Sequence, residues 1–377
     1  MRILIVHPGI YVYGGAELLI VKLLNYLTAR GIKNALLTNS VIPEVKKDLT
    51  GTEILIFEKK SFNSFQLGEA LSLHKGISRV LKEFDLINIH NYPAELAVFP
   101  YHKPVVWMCN EPAEVSLGLK NEASLIKRLA IKTILLFDKY VVKNHVKTAV
   151  VADNFNFDRF RRLYGFDPEI INYGIEYDFF SQGDKKKVRK DYNLNDRFVV
   201  LQSGMLTPMK NQLESVQTVE KLRDKIPNIK LILAGWGDRA YIEKIKSYIK
   251  EKDLTAAVII TGHLGRESLR DFYHGCDIVL QPIKPQGGWL APFEALCAKR
   301  IIIVSPEMTA SDIIKQEDIG VVTDNFSEAV LDIYNNRDKY RILGERGAEW
   351  VKENLKWDKF CERMLRCFIR ITERSKE

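Results

Sequence analysis

Arg2–Gly31 reads RILIVHPGIYVYGGAELLIVKLLNYLTARG. After Arg2 comes an unbroken run, Ile3–Val6, rich in β-branched residues. An uninterrupted apolar run this short is the signature of a strand buried on both faces. From Ala16 the pattern changes to apolar residues at helical spacing, ending at Gly31, a stop signal. A buried strand, a glycine-containing loop and an amphipathic helix make the first half of a βαβ unit.

The same alternation continues outward. NALLTN and EILIF read as strands, LGEALSLHKGISRVLKEF as a helix, DLINIHN as a strand ending in polar residues, and KPVVWMCNEP repeats that form. Around Asn172–Arg197, NYGIEYDFFSQGDKKKVRKDYNLNDR reads as a loop and a charged stretch without a strand, with DKKKVRK as a solvated face. The alternation then restarts with FVVLQSG, IKLILAGWGD, VIITG, DIVLQP and RIIIVS, separated by helical segments. Such alternation predicts parallel sheets with helices on both faces, an α/β fold. We expect domains over 1–175 and 176–355, with a helix over 356–377 packing back on the first.

The totals bound the function. The 377 residues suit two domains, and 46% hydrophobic with 28% charged residues is a globular balance. No apolar run reaches the roughly 18 residues needed to span a bilayer. MRILIVHPG is too short in its apolar part for a signal peptide, so a cytoplasmic location is expected. Cys109, Cys276, Cys297, Cys361 and Cys367 are odd in number and form no CxxC, which suggests neither disulfides nor zinc. The formal net charge of +8 favours an anionic partner, or is the mild basicity of many globular proteins. The cations are not interleaved with aromatics, so no nucleic acid is expected.

In parallel sheets ligands bind beyond the carboxyl ends of strands, which directs attention to the loops there. Gly14 and Gly15 precede the first helix, where their amides could approach a phosphate or simply make a tight turn. Lys210 ends the loop SGMLTPMKNQ and could meet a diphosphate or stay solvated. Gly235 and Gly237 in LAGWGD, and Gly262 and Gly265 in TGHLGRE, read as turns or as close contacts to a ligand. His90 ends a strand, and His263 sits in TGHLG. In QGGWLAPFEALCAK, Glu294 sits near the expected helix start after Pro292, where a carboxylate could cap the helix or grip the paired hydroxyls of a ribose. No HExxH, DxD or GxSxG is present.

Taken in order, GGAE, NYGIEYDFF, SGMLTPMKNQ, LAGWGD, ITGHLGRESLRDFYHGCDIVLQP, QGGWLAPFEALCAK and LKWDKFCERML resemble the retaining, nucleotide-sugar-dependent glycosyltransferases of the GT4 group. The resemblance covers nearly the whole chain and implies the GT-B fold, two Rossmann-like domains facing across a cleft. It makes Glu294 the second glutamate of an E-x7-E motif, on the donor ribose, and places Gln286 where the first glutamate contacts the sugar. Gly14, Gly15 and Lys210 would surround the diphosphate. Gly235, His263 and Leu264, with Gly287, Gly288, Trp289 and Leu290, would complete the donor pocket. His90, Asn110 and Lys210 would serve catalysis.

Four positions depart from the family pattern: Gln286 for glutamate, Met205 for arginine, Asn110 for histidine and Trp289 for glycine. The implied reaction moves a hexose from a UDP- or GDP-sugar to a glycan or lipid-linked acceptor, without metal or other cofactor. The alternatives are a non-catalytic nucleotide-sugar-binding relative or partner subunit, and a nucleotide-sugar epimerase. SLIKRLAIKTILLFDKYVVKNHVK is either a helix packed on its own domain or a peripheral contact with an anionic membrane, at the inner face, that presents a lipid-linked acceptor.

Overall fold

The computed structural model describes residues 1–59, 64–118, 124–284 and 289–374. The chain divides into two compact units, Met1–Gly174 with Trp357–Glu377, and Ile175–Lys356.

The first unit holds strands β1 (Arg2–His7), β2 (Lys33–Thr38), β3 (Glu53–Ile56), β4 (Leu86–His90), β5 (Val105–Met108), β6 (Thr148–Val151) and β7 (Glu169–Ile170). Its helices are α1 (Gly15–Ala29), α2 (Pro43–Asp48), α3 (Leu67–Val80), α4 (Ala113–Leu117), α5 (Leu125–His145) and α6 (Asn154–Tyr164). The second unit follows with α7 (Tyr177–Phe180), α8 (Lys185–Asp191), β8 (Phe198–Ser203), α9 (Gln212–Leu222), β9 (Ile229–Ala234), α10 (Arg239–Glu251) and β10 (Val258–Gly262). It continues with α11 (Arg266–Gly275), β11 (Ile278–Gln281), α12 (Leu290–Cys297), β12 (Ile301–Val304), α13 (Ser311–Gln316), β13 (Val321–Val322), α14 (Phe326–Asn335) and α15 (Arg337–Asn354). The last helix, α16 (Trp357–Arg374), lies in the first unit.

Both sheets are parallel, with strand orders β3-β2-β1-β4-β5-β6-β7 and β10-β9-β8-β11-β12-β13. This is the helix-covered parallel architecture that the apolar runs predict. Ile3, Leu4, Ile5 and Val6 of β1 have no exposed surface, because β1 is central and covered on both faces. Ile3 and Ile5 join a core with α1 and α16, while Leu4 and Val6 join one with α3, α5 and α6. The period-two alternation of a strand therefore feeds two separate cores.

On α16, Trp357, Phe360, Cys361, Met364, Cys367, Phe368 and Ile371 are buried, a set that recurs once per helical turn on one face. Burying such side chains contributes about 1.5–3 kcal/mol each. Gly174 allows the chain to pass this helix, since a Cβ there would lie 2.5 Å from the Trp357 Cα.

DKKKVRK is not simply a solvated face. It forms most of α8, and Arg189 within it is buried. Its guanidinium donates to the carbonyls of Gly275 and Leu194 and pairs with Asp277 at 2.7 Å. A buried cation is tolerated only with such partners.

Candidate functional site

Each sheet reverses its strand order at one place, and that switch point is where open α/β sheets leave a crevice. In the second unit the switch falls between β8 and β11, in the first between β1 and β4. The residues at these strand ends are Ser203 and Gln281, and His7 and His90.

Glu294 stands in the second unit. Helix α12 starts at Leu290, so Glu294 is its fifth residue, not its first, and Pro292 is its third. The capping reading therefore fails. The carboxylate instead accepts a hydrogen bond from the Tyr273 hydroxyl at 3.0 Å, from α11. With its proton directed to Glu294, the Tyr273 oxygen accepts from Ser203 Oγ at 2.8 Å. A relay thus runs from the end of β8 through α11 to α12. Burial pushes the Glu294 carboxyl up to about 7, while the Tyr273 hydrogen bond and the Arg266 guanidinium pull it back down. Burial, then the Glu294 charge, holds the Tyr273 phenol well above its ordinary range. Glu294 is only partly enclosed by surface area, so a ligand can reach it.

Trp289, just before α12, is buried, its ring 4.9 Å from that of Phe293, which in turn stacks on Trp350 at 5.9 Å. Leu290 is half-buried. Gln286, Gly287 and Gly288, expected at the donor sugar, lie outside the described residues.

The β8–α9 loop carries Met205 and Lys210. Two buried glutamines pin it: Gln202 donates to the Lys210 carbonyl at 2.7 Å, and Gln212 donates to that of Met205 at 2.9 Å. Ser215 fixes the Gln202 amide from below at 2.7 Å. Lys210 is half-buried and Met205 exposed. Gly235 abuts the same loop. A Cβ there would lie 1.9 Å from the Gly204 carbonyl oxygen, at a φ of +154°, so backbone contact explains this glycine without a ligand. His263 is exposed and Leu264 half-buried in the loop after β10.

The first unit gathers a second cluster. Asn110 donates to Asn91 Oδ1 at 2.8 Å, and Tyr173 donates to Asn110 Oδ1. Asn91 in turn donates to His7 Nε2 at 3.2 Å, while His7 Nδ1 donates to the Pro8 carbonyl at 2.8 Å. These contacts require a neutral His7, and burial lowers its pKa accordingly. His90 is wholly buried, its Nε2 2.7 Å from Asn88 Oδ1. Burial, with His7 nearby, holds it well below its ordinary pKa. The ring expected to line open space is enclosed, because β4 is a central strand.

Gly14 and Gly15 are exposed at the start of α1, but the Gly14 amide already donates to the Glu17 carboxylate at 3.0 Å. An anion approaching this helix end meets that charge first.

His7, Asn91, Tyr173, Ser203, Tyr273, Gln202 and Gln212 escaped the sequence reading. His7 carries the same signal as His90, a histidine ending an apolar strand. Gln202, in a buried strand, is a polar residue that needs a partner. Tyr273 has no local signal, since its partner lies on another helix. Among the described residues no group of three or more His, Cys, Asp or Glu could hold a metal, and no helix is long and apolar enough to cross a membrane.

Residues 184–350 match the family Glycosyl transferases group 1. The fold is GT-B. Anabaena HepE in complex with UDP-glucose superposes with a TM-score of 0.81 at 15% identity, covering 98% of this chain and 100% of that one. The GDP-mannose-dependent alpha-(1-6)-phosphatidylinositol monomannoside mannosyltransferase of Mycobacterium tuberculosis is 24% identical over 229 residues, which is 56% of this chain and 59% of that protein. Trehalose synthase of Thermococcus litoralis is 23% identical over 302 residues, 76% of this chain and 69% of that protein. The match to the mannosyltransferase thus spans under two thirds of its length. The group 1 segment lies wholly within the second unit and contains Lys210, Gly235, Tyr273 and Glu294.

Proposed function

We propose that this chain transfers a hexose from a UDP- or GDP-sugar to a glycan or lipid-linked acceptor, with retention of configuration, as in the GT4 group and without metal. The observation that carries the proposal is Glu294: a reachable carboxylate, oriented by Tyr273 and Ser203, inside the group 1 segment. Its ionised form accepts two hydrogen bonds, which suits the ribose 2′- and 3′-hydroxyls.

The other roles follow from placement. Lys210, on a loop held rigid by Gln202 and Gln212, faces the diphosphate. Gly235, His263 and Leu264 border the nucleotide, and Gln286, Gly287, Gly288, Trp289 and Leu290 border the sugar. As the anomeric C–O bond breaks, its electron pair moves onto the β-phosphate, where Lys210 stabilises the charge. The acceptor oxygen bonds to the anomeric carbon from the leaving-group face and its proton passes to the departing phosphate, so no protein nucleophile is needed. Asn110, fixed by Asn91 and Tyr173, is the first unit's group for orienting an acceptor hydroxyl. His90 acts by holding the end of β4.

Similarity to a GDP-mannose-dependent mannosyltransferase and to a protein solved with UDP-glucose supports a nucleotide-sugar donor of either kind. The test is titration calorimetry against UDP, GDP, ADP and their sugar conjugates without metal, for the protein and for Glu294→Ala. Selective binding lost in the variant supports the reading; equal affinity in both overturns the ribose assignment. The neutral amide at Asn110 favours a second reading, a binding relative without turnover. Measured sugar transfer to an acceptor would exclude it.

A further inference from the structure

Helix α5 has two apolar sides. Ile131, Asp138, Val141, Val142 and His145 face inward. On the other side Leu125, Ile126, Leu129 and Leu136 are 80%, 83%, 68% and 72% exposed, with Tyr140 at 53%. Leu125, Leu129, Leu136 and Tyr140 follow the spacing i, i+4, i+11, i+15, so they form one row along the helix. Arg128, Lys132, Lys139 and Lys143 repeat that spacing three residues on, so a row of exposed cations runs beside the apolar row. The only acidic residue of α5, Asp138, is buried. The outer face therefore presents apolar and cationic side chains and no carboxylate of its own.

A cavity of about 380 Å³ opens beside the cationic row. Leu135 and Leu163 give it apolar walls, and Lys132, Lys139 and Arg162 surround them together with the acidic residues Glu114 and Asp138. Scattered exposed apolar residues are ordinary, but four on one side of a helix, in two pairs separated by Lys132 and Thr133 and bordered by the helix's exposed cations, mark a surface that binds something.

We propose that the outer face of α5 docks the protein on an anionic lipid bilayer, with the leucine row in the acyl boundary and the cation row against the headgroup phosphates. The charge pattern selects this occupant. A second copy of the chain would offer this face no carboxylate from its own α5 to pair with the cation row. An anionic surface satisfies both rows at once. This inference does not depend on the transfer reaction proposed above.

The experiment is flotation of the full chain with vesicles of phosphatidylcholine alone or mixed with phosphatidylglycerol. Nucleotide binding and circular dichroism are measured in parallel as controls on the fold. The protein should float with the anionic vesicles and not with the neutral ones, and added salt should weaken binding. Leu129→Ser with Leu136→Ser, and separately Lys132→Glu with Lys139→Glu, should each cut vesicle affinity by about tenfold or more while both controls stay unchanged. Failure of the folded wild type to bind anionic vesicles at low salt would overturn the proposal. So would equal binding by both double variants, or a dimer in sedimentation that the Leu→Ser pair abolishes.

Discussion

Tyr273 and Glu294 lie 21 residues apart in sequence, on different helices, and meet through a hydrogen bond of 3.0 Å. The contact makes Glu294 an oriented acceptor, and the surrounding protein raises its carboxyl to about 7. Its ionisation therefore changes near neutral pH.

Nucleotide affinity should follow that ionisation. Ribose hydroxyls donate to the charged carboxylate, so affinity should be full above about pH 8 and fall by about tenfold per pH unit well below the transition. Tyr273→Phe removes a hydrogen bond that lowers the Glu294 pKa, and should move the transition upward. Glu294→Gln should bind more weakly at high pH and lose the dependence. Calorimetry from about pH 6 to pH 8.5 checks this; a flat profile in the wild type would remove Glu294 from the ribose.

A second pair of carboxyls sets a pH dependence of stability in the first unit. Glu95 is wholly buried, and burial, then the Asp138 charge, pushes its carboxyl well above the usual range. Burial pushes Asp138 up to about 6, though the Tyr164 hydroxyl donates to it at 2.9 Å. Both folded-state values are raised, so their contribution is complete below the unfolded values near 4 and is lost as pH rises through 6 and beyond. Thermal melts should show a lower midpoint at about pH 8 than at about pH 5 from this source. Glu95→Gln, which stays neutral, should reduce the difference. An unchanged slope in the variant would show that other groups control it.

Gly235→Ala tests the close approach of two loops. Its Cβ would overlap the Gly204 carbonyl oxygen, and its φ of +154° is unfavourable for alanine. Strain and backbone displacement should cost about 2–4 kcal/mol in denaturant unfolding. Because the displaced loop carries Lys210, nucleotide affinity should fall as well. A variant with wild-type stability would mean that the loops adjust freely.

Met364→Ala tests α16. The side chain has no exposed surface and sits in the core that α16 shares with α1 and β1. Leaving a cavity there should cost about 2–5 kcal/mol. Nucleotide affinity should change little while the protein remains folded, since Lys210 and Glu294 lie in the other unit. Chemical denaturation with calorimetry below the transition reads both effects.

The part of the site that could be read in advance consists of residues whose own neighbours mark them. His90 ends an apolar run, Lys210 ends a glycine-bearing loop, and Glu294 interrupts an apolar segment. Their surroundings could not be read in the same way. His90 is enclosed because its strand is central to the sheet. Glu294 is oriented by a tyrosine from another helix, and the amide at Gly14 is occupied by Glu17. Arg189 looks like one more lysine-rich surface cation until Asp277 and the Gly275 carbonyl close around it.

The sequence by itself determined most of the strands, about half of the helices and the parallel α/β class, because apolar periodicity is a local property that each segment carries along its own length. Three strands escaped it: β6, four residues directly after the segment read as one long helix, and β7 and β13, which have two residues each, too few to show a period. Tertiary structure alone decided the strand order, and with it the two switch points at β1/β4 and β8/β11. It also decided which polar groups meet, as Asn110 meets Asn91 and Tyr173, and Ser203 meets Tyr273 and Glu294. Those partners are brought together by the path of the chain between them, and a hydrogen bond across 21, 63 or 70 residues leaves no periodic trace in the segments it joins.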